Sequence, residues 1–202
     1  MQHLTIYPTS IDERSIDTAV RTLQRGEVII YPTDTLYALG CDALNQRAIE
    51  RLCRIKGINP DKNLLSVVCA DISQAADYAR IDNRAFAIIK HYLPGPFTFI
   101  LPASTKLPKV FKGRKTVGIR VPGCTIARAI ASALGNPILT SSATTPDPDD
   151  IVSPEAVAMA YKADATLLVD GGEGGMEPST IVDLTDPDSP EVIRQGAGIF
   201  EE

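Results

Sequence analysis

Short apolar runs alternate along the chain with longer stretches in which apolar residues recur every three or four positions. Stretch 12–25 shows the second pattern, because Ile16, Ala19 and Leu23 fall on one face of a helix. The same periodicity predicts helices at 12–25, 45–55, 72–80, 83–92, 125–134 and from Ser153 onward. The apolar runs predict strands at 4–6, 28–31, 64–69, 97–101, 116–121, 137–140, 166–169, 180–184 and 192–194.

The alternation of strands with helices is typical of an α/β domain. Two consecutive strand pairs, 97–101 with 116–121 and 180–184 with 192–194, are joined by segments too short for a helical crossover. We therefore expect antiparallel neighbours within a mixed parallel and antiparallel sheet, flanked by helices. No repeat or long linker interrupts the pattern, so residues 1–202 are expected to form a single domain.

Composition excludes two broad classes of protein. Apolar residues make up 44% and charged residues 22% of the 202 residues, which is ordinary for a globular chain and excludes wholesale disorder. No apolar run approaches the roughly 18 residues that cross a bilayer, and the N-terminus lacks the pattern of a secretory signal. The four cysteines are scattered without a C-x-x-C pair, which disfavours a zinc site and favours reduced thiols in a cytoplasmic protein.

The net charge of −5 conceals a strong asymmetry. Residues 1–144 contain 18 Lys and Arg against 11 Asp and Glu, whereas residues 145–202 contain 2 against 14. The larger part of the chain can therefore present a positive surface. Its densest stretch, 105–120, contains no acid, and the candidate RNA-binding residues there are Lys106, Lys109, Lys112, Arg114 and Lys115. A solvated loop with ordinary surface charges is the alternative interpretation.

Polar loops follow most of the predicted strands, which is where open α/β sheets bind their ligands. They occur at 31–43, 56–62, 94–101, 116–122, 139–145, 170–180 and 193–198. Each alone is typical of a turn, but Arg120 interrupts an apolar strand and needs an anionic partner or an exposed face. The motifs G-x-G-x-x-G, G-x-x-x-x-G-K-[ST] and G-x-S-x-G are absent, so a dinucleotide fold, a P-loop and a Ser-His-Asp hydrolase are unsupported.

Taken in order, these segments resemble the YrdC-like superfamily, which includes the threonylcarbamoyl-AMP synthases. The matching motifs are PTDTLYALGCDA, the Lys56-Gly57 pair, PGPFTFIL, IRVP, the serine loop LTSSATT, the DGG…ST segment and a final R-x-G-A, from about residue 13 to 198. The resemblance implies a YrdC-like fold, a twisted mixed sheet with a concave, positively charged face. It also implies a reaction in which ATP, bicarbonate and L-threonine yield threonylcarbamoyl-AMP and pyrophosphate, for the t6A modification of adenosine 37 in tRNA.

The resemblance also assigns roles to individual residues. Lys56 and Ser142 are the expected catalytic residues. The nucleotide-binding set that it implies is Lys56, Thr116, Ser142 and Arg194. The substrate-binding set is Thr35, Arg120, Thr140, Ser179 and Thr180, in which Thr35 and Arg120 hold L-threonine. Such a site needs cations and hydroxyl donors for phosphate and carboxylate oxygens, and Mg²⁺ would arrive with ATP, bridging its phosphates.

Two positions depart from the synthase pattern. Ile58 occupies the arginine position of K-x-R, and Thr144 occupies the asparagine position of S-x-N. Isoleucine cannot replace the charge or the bidentate geometry of a guanidinium. The stretches KGINPDKNLLSVVC and TTPDPDD are similar to the YciO branch of the superfamily, so we expect a nucleotide-binding protein with weak or altered synthase activity. Two alternatives are a non-catalytic protein that binds tRNA or double-stranded RNA, and an enzyme that adenylates or carbamoylates another small acid.

Overall fold

Strands and helices alternate through residues 1–111 and 115–201, which the computed structural model describes. The strands are β1 Gln2–Thr5, β2 Ile29–Tyr31, β3 Ala38–Asp42, β4 Ser66–Val68, β5 Phe97–Pro102, β6 Thr116–Arg120, β7 Ile138–Ser142, β8 Leu167–Asp170, β9 Thr180–Asp183 and β10 Glu191–Arg194. The helices are α1 Glu13–Gln24, α2 Gln46–Lys56, α3 Ile72–Tyr78, α4 Asn83–Tyr92, α5 Thr125–Leu134 and α6 Pro154–Ala160, with short 3₁₀ turns at Lys109–Phe111 and Pro148–Val152.

The strands of the described residues form one sheet in the order β1-β8-β2-β3-β7-β4-β6-β5-β9-β10. The pairs β1–β8, β2–β8, β4–β6 and β5–β9 are parallel, and the other neighbours are antiparallel. The predicted antiparallel pairs, now β5 with β6 and β9 with β10, are both present. The expectation of a mixed sheet with flanking helices is therefore confirmed.

The sheet carries a hydrophobic cluster on each face. Because side chains alternate along a strand, neighbouring residues of β2 enter different clusters. Ile30 packs in the cluster that contains Leu52 of α2, and Ile29 packs with Leu23 of α1 and Ile130 of α5. Full burial of such a side chain stabilises the folded state by about 1.5–3 kcal/mol, so the two clusters together hold the helices onto both faces.

Capping residues fix where the helices begin. The side chains of Asn45, Asp71, Asp82 and Ser153 each accept a hydrogen bond from a backbone N–H in the first turn of the following helix. Each such cap is typically worth about 1 kcal/mol. These four helix starts agree with the sequence prediction.

One strand escaped the sequence prediction. Segment 31–43 was expected to be a polar loop, but Ala38–Asp42 within it forms β3 between β2 and β7. The sequence ALGCD contains no β-branched or aromatic residue, and glycine and aspartate are depleted in strands. Its pairing on both sides, rather than intrinsic propensity, makes this segment a strand.

Candidate functional site

A cavity of about 200 Å³ is lined by residues of β4, β5, β6, β7, β9 and β10, and by Leu52 of α2 and Ile58 in the turn after it. Register places Ser66 of β4 directly between Thr140 of β7 and Gly118 of β6, so the three residues share a face. Arg120 follows Gly118 by two positions and projects from the same face. The polar lining consists of Ser66, Thr98, Arg120, Thr140, Ser141, Ser142, Ser179 and Arg194, and the aliphatic lining of Leu52, Ile58, Leu64, Leu65, Leu139 and Ile181.

The strands beneath the cavity approach closely at Gly118. A Cβ atom at this position would lie 2.3 Å from the Ser66 hydroxyl oxygen and 3.0 Å from the Thr98 methyl carbon. Only glycine therefore leaves room for the two hydroxyl-bearing side chains of the neighbouring strands. The Thr98 and Ser179 hydroxyls are 2.8 Å apart and hydrogen-bonded, which joins β5 to the segment that precedes β9.

Arg120 is held at the end of β6 by the threonine-rich segment after β2. Its Nη2 donates to Asp34 Oδ1 at 3.1 Å and to Thr35 Oγ1 at 3.0 Å. The second Asp34 oxygen accepts the Gly123 backbone N–H at 2.7 Å. Because Arg120 is only 6% exposed, its charge requires a carboxylate partner of this kind. Asp34 thus fixes both the guanidinium and the turn that follows β6.

One donor of this guanidinium is not used by the protein. The Nε–H of Arg120 is buried and has no hydrogen-bond partner within residues 1–111 and 115–201. An unsatisfied buried donor costs about 1–3 kcal/mol, and more when the group is charged. Arg120 lines the cavity, so its guanidinium as a whole favours an anionic ligand there, although the Nε atom itself is shielded from solvent.

Arg194 brings a second guanidinium to the same cavity. Its Nη2 and Nε donate to the Ser179 carbonyl oxygen at 2.7 and 3.2 Å. Burial, and then the nearby charge of Arg120, lowers the pKa of Arg194, although arginine stays protonated at physiological pH. In the described part of the chain, Asp34 forms an ion pair with Arg120, and the hydrogen bonds of Arg194 go to Ser179, not to a carboxylate. The cavity therefore carries excess positive charge and suits an anion.

Lys56 is not among the cavity-lining residues, but it is tied to the serine loop, residues 139–145, through Tyr161. Its Nζ donates to the Tyr161 hydroxyl oxygen at 3.2 Å, and the Thr144 backbone N–H donates to the same oxygen at 3.2 Å. Burial acts to raise the pKa of Tyr161, but the hydrogen bonds from Thr144 and Lys56 outweigh it and lower the pKa. Thr144 follows Ser142 by two residues, so one phenol connects both expected catalytic segments.

Ile58 has a structural reason to be apolar. Gly57 adopts a left-handed conformation with φ of 62°, its N–H binds the Arg54 carbonyl, and the Ile58 N–H binds the Cys53 carbonyl. This is the Schellman ending of a helix, which is accompanied by an apolar contact from the residue after the glycine. Ile58 is partly buried against the core and also lines the cavity. The arginine position of K-x-R is thus an aliphatic part of the wall.

The structure brings most of the expected residues to one place. Arg120, Thr140, Ser142, Ser179 and Arg194 all line the cavity, although they span 120–194 in sequence. Tyr31 donates from its hydroxyl to Thr140 Oγ1 at 2.8 Å, which occupies part of that side chain's capacity. The convergence of these segments is a feature of the fold, whereas the roles of their side chains toward substrates stay predictions.

Four expected residues lie outside the cavity lining: Lys56, whose contacts are given above, and three others. Thr35 is behind Arg120 as its hydrogen-bond acceptor. Thr116 begins β6, four residues and about 13 Å before Arg120. Thr180 is fully buried, and its hydroxyl donates to the Gly198 carbonyl and accepts the Gly196 N–H at 3.0 Å. Of the pair Ser179 and Thr180, the geometry therefore favours Ser179 as the residue that meets a ligand.

The basic stretch has a counter-charge that its local sequence does not reveal. Lys106 forms an ion pair with Asp77, which precedes the last residue of α3. Lys109 and Lys115 are exposed, and Lys115 has a positive φ of 59°. Lys112 and Arg114, which were also expected to bind RNA, lie outside the described residues. The acid-free stretch is therefore less strongly cationic in three dimensions than it is in sequence.

Two residues that sequence reasoning passed over are central to the geometry. Asp34 lies in segment 31–43, which alone is typical of a turn, yet it is the partner of Arg120; its position in the TDT segment after a buried strand is the available signal. Tyr161 follows α6, and nothing in the local sequence indicates that its hydroxyl meets Lys56 and Thr144. Such a contact depends on how α2, α6 and the serine loop pack together.

The described residues contain neither a metal-type cluster nor a membrane-type helix. Within 1–111 and 115–201, no group of three or more His, Cys, Asp or Glu side chains is arranged to hold a metal ion. No helix in this part of the chain is both long and apolar enough to cross a membrane. All four cysteines are free thiols, and Cys41, Cys53 and Cys69 are buried, which is typical of small core residues.

The chain is similar in sequence to proteins of one family. Residues 21–196 match the Sua5/YciO/YrdC family model, whose description is "Telomere recombination". The chain is 40% identical to YciO of Escherichia coli (strain K12) over 200 residues, which cover 98% of this chain and 96% of that protein. It is 33% identical to the threonylcarbamoyl-AMP synthase of Pyrococcus abyssi over 196 residues, covering 95% of this chain and 57% of the synthase.

Solved structures agree with the sequence similarity. The crystal structure of E. coli YciO matches with a TM-score of 0.89 at 38% identity, over 98% of this chain and 97% of that one. The crystal structure of P. abyssi Sua5 complexed with L-threonine matches with a TM-score of 0.86 at 31% identity, over 97% of this chain and 58% of that one. The fold is therefore shared with both, and the Sua5 chain is substantially longer.

Proposed function

The chain belongs to the Sua5/YciO/YrdC family, and from this premise we propose that it is a YciO-type nucleotide-binding protein with weak or altered threonylcarbamoyl-AMP synthase activity. The observation that carries the proposal is the cationic cavity in which Arg120, Arg194 and Ser142 meet. The L-threonine complex of Sua5 and the synthase relatives support an amino acid and ATP as the substrates to test first. The proposed unit of function is residues 1–202.

The proposed reaction forms one bond to phosphorus and breaks another. Bicarbonate and the amino group of L-threonine condense to a carbamate with loss of water. A carbamate oxygen then attacks the α-phosphorus of ATP, and the bond from that phosphorus to the oxygen bridging to the β-phosphate breaks. Threonylcarbamoyl-AMP and pyrophosphate leave. Mg²⁺ enters this proposal with ATP as part of the substrate.

In this proposal Arg120 binds the carboxylate of L-threonine through its guanidinium, while Asp34 and Thr35 hold its Nη2. Lys56, Ser142 and Arg194 face the phosphates. A single preorganised donor of this kind lowers the activation free energy by roughly 2.7–4 kcal/mol in well-studied sites. Thr116, Thr140 and Ser179 remain proposed substrate contacts. Because the Thr180 side chain is fully buried, its proposed role is limited to the backbone next to Ser179.

The direct test is pyrophosphate release from ATP and Mg²⁺, measured with and without L-threonine and bicarbonate. We expect release that requires both co-substrates, at a rate well below that of a synthase with complete K-x-R and S-x-N motifs. Arg120→Ala should abolish the part of pyrophosphate release that requires L-threonine, because the carboxylate of L-threonine loses its cation. Release that ignores L-threonine but responds to another small acid would replace threonine in the proposal. No release and no ATP binding would exclude it.

The low rate has a specific proposed cause, namely Ile58 and Thr144. Ile58→Arg with Thr144→Asn should raise threonine-dependent pyrophosphate release at least about tenfold, since tenfold requires only about 1.4 kcal/mol. Because both new groups would grip one nucleotide, the gain should exceed the product of the single changes. Ile58 also packs at the end of α2, so the melting temperature must be measured beside the rate. Unchanged melting with an unchanged rate would contradict this cause.

RNA binding is the second function proposed for this fold. Its support is the exposed pair Lys109 and Lys115, and the pairing of Lys106 with Asp77 weakens it. A polar cavity with two guanidiniums is not required for contact with an RNA backbone, which needs only a surface of point charges. The synthase-like proposal is therefore preferred, and tRNA binding is tested below as a separate property.

A further inference from the structure

We propose that Tyr161 is a positioning residue for nucleotide binding, which holds the Lys56 ammonium and the serine loop at a fixed separation; the inference rests on the proposed function. One phenol oxygen accepts hydrogen bonds from Lys56 Nζ and from the Thr144 backbone N–H, both at 3.2 Å. A tyrosine oxygen that accepts twice joins two segments that share no other hydrogen bond among those described here.

Tyr161 is itself firmly fixed. Its N–H donates to the Val157 carbonyl at 3.2 Å, and its carbonyl accepts from Asp164 and Ala165 at 3.0 and 2.9 Å. Its ring packs against the core cluster on the face of α2. By contrast, Lys56 is the last residue of α2 and has a long side chain with four rotatable carbons. The rigid Tyr161 hydroxyl therefore sets the location of the mobile Lys56 ammonium.

The geometry leaves Lys56 able to bind an anion. Its Nζ is 5.5 Å from the centroid of the Tyr161 ring, so the ammonium lies toward the hydroxyl rather than over the ring centre. An ammonium has three N–H donors, and Tyr161 accepts one of them. Two donors remain for phosphate oxygens. Because Tyr161 keeps the ammonium in place before ligand arrives, less side-chain entropy is lost on binding.

The second hydrogen bond extends this effect to Ser142. Thr144 meets the phenol oxygen through its backbone N–H at 3.2 Å and through its side-chain hydroxyl at 3.4 Å, so both the loop backbone and the threonine side chain take part in the contact. Ser142, two residues earlier, lines the cavity. Removing the phenol oxygen should therefore loosen Lys56 and the serine loop together, while Arg120 and its partners Asp34 and Thr35 stay in place.

The test compares ATP and L-threonine binding in matched variants by calorimetry with Mg²⁺ present. Tyr161→Phe removes only the hydroxyl and should weaken ATP binding about tenfold, with L-threonine binding changed less than twofold. Tyr92→Phe is the control, because it removes the hydroxyl of another helix-end tyrosine, which donates to the Glu201 carbonyl at 2.9 Å. It should leave both affinities unchanged.

A Lys56→Ala background separates positioning from general support. There, Tyr161→Phe should weaken ATP binding clearly less than in the wild-type background, because the charge that it positions is gone and only its hold on the serine loop remains. An equal loss in both backgrounds, or an equal loss for L-threonine, would overturn the positioning role. If wild-type protein binds ATP and the Tyr161→Phe variant binds it with the same affinity, this inference alone is overturned. Wild-type protein that binds no ATP would overturn the proposed function as well.

Discussion

Replacing Asp34 by alanine tests the electrostatic design of the cavity without any assumption about its substrate. In the native protein the Asp34 carboxylate pairs with Arg120 at 3.1 Å and accepts the Gly123 N–H at 2.7 Å. The side chains of Arg120 and Asp34 are only 7% and 15% exposed. Asp34→Ala would leave the guanidinium buried with Thr35 as its remaining described partner.

The expected loss of stability follows from this burial. Two unit charges 3.1 Å apart attract each other by about 5 kcal/mol at an effective dielectric constant of about 20, before desolvation is counted. Removing one partner of a buried pair costs about 3–5 kcal/mol, because the remaining charge is uncompensated. We expect Asp34→Ala to lower the free energy of unfolding by that amount. Asp34→Asn, which can still accept hydrogen bonds, should cost less.

Asp188→Ala is the matched control, because Asp188 also pairs with an arginine, Arg84, but both side chains are about two-thirds exposed, at 67% and 65%. An exposed pair contributes about 0–1 kcal/mol, so this variant should be almost neutral. Unfolding in urea, followed by circular dichroism, gives both free energies. Inorganic phosphate should stabilise Asp34→Ala more than wild type, since an anion can pair with Arg120. A loss for Asp34→Ala no larger than that for Asp188→Ala would refute this account of the cavity.

Two further predictions concern the rest of the molecule. Burial raises the pKa of all four thiols, that of Cys69 to about 12, so at pH 8 only the half-buried Cys124 should react with a thiol reagent, and Cys124→Ser should abolish this reaction in native but not in denatured protein. If tRNA binds the basic stretch, Lys109→Glu with Lys115→Glu should weaken binding equally across RNA sequences and flatten the salt dependence of the affinity. The control Lys90→Glu on α4 should change neither property. Filter binding at several salt concentrations measures both, and identical affinities for all variants would remove this stretch from any RNA surface.

Much of the fold was accessible from sequence because burial leaves a periodic pattern. The helix starts at Asn45 and Asp82 and the antiparallel pair β5–β6 all follow from local rules. Strand β3 did not, because its residues have poor strand propensity and one of its two neighbours, β7, comes from a distant part of the chain. Local propensity is a weak guide where tertiary pairing decides the structure.

The site shows the same division between local and long-range information. The need of Arg120 for an anionic partner could be predicted, since a charged residue in an apolar strand must be compensated. The identity of that partner, Asp34, depends on a contact across 86 positions of sequence. The contact between Lys56 and Tyr161 spans 105 positions and joins two helix ends, so no spacing rule could reveal it.

The end of α2 must satisfy two demands at once. The Schellman ending at Gly57 favours an apolar side chain at the next position, whereas a triphosphate site favours a cation there. Ile58 meets the first demand and gives the cavity an aliphatic wall. The positive charge near this wall then depends on Arg120, Arg194 and Lys56. Each of these is held by a group from another segment, respectively Asp34, the Ser179 carbonyl and Tyr161. Cations fixed in this way suit an anionic ligand, but the aliphatic wall at Ile58 offers a triphosphate no further cation. The same arrangement thus accounts both for a retained pocket and for a low expected rate of adenylate formation.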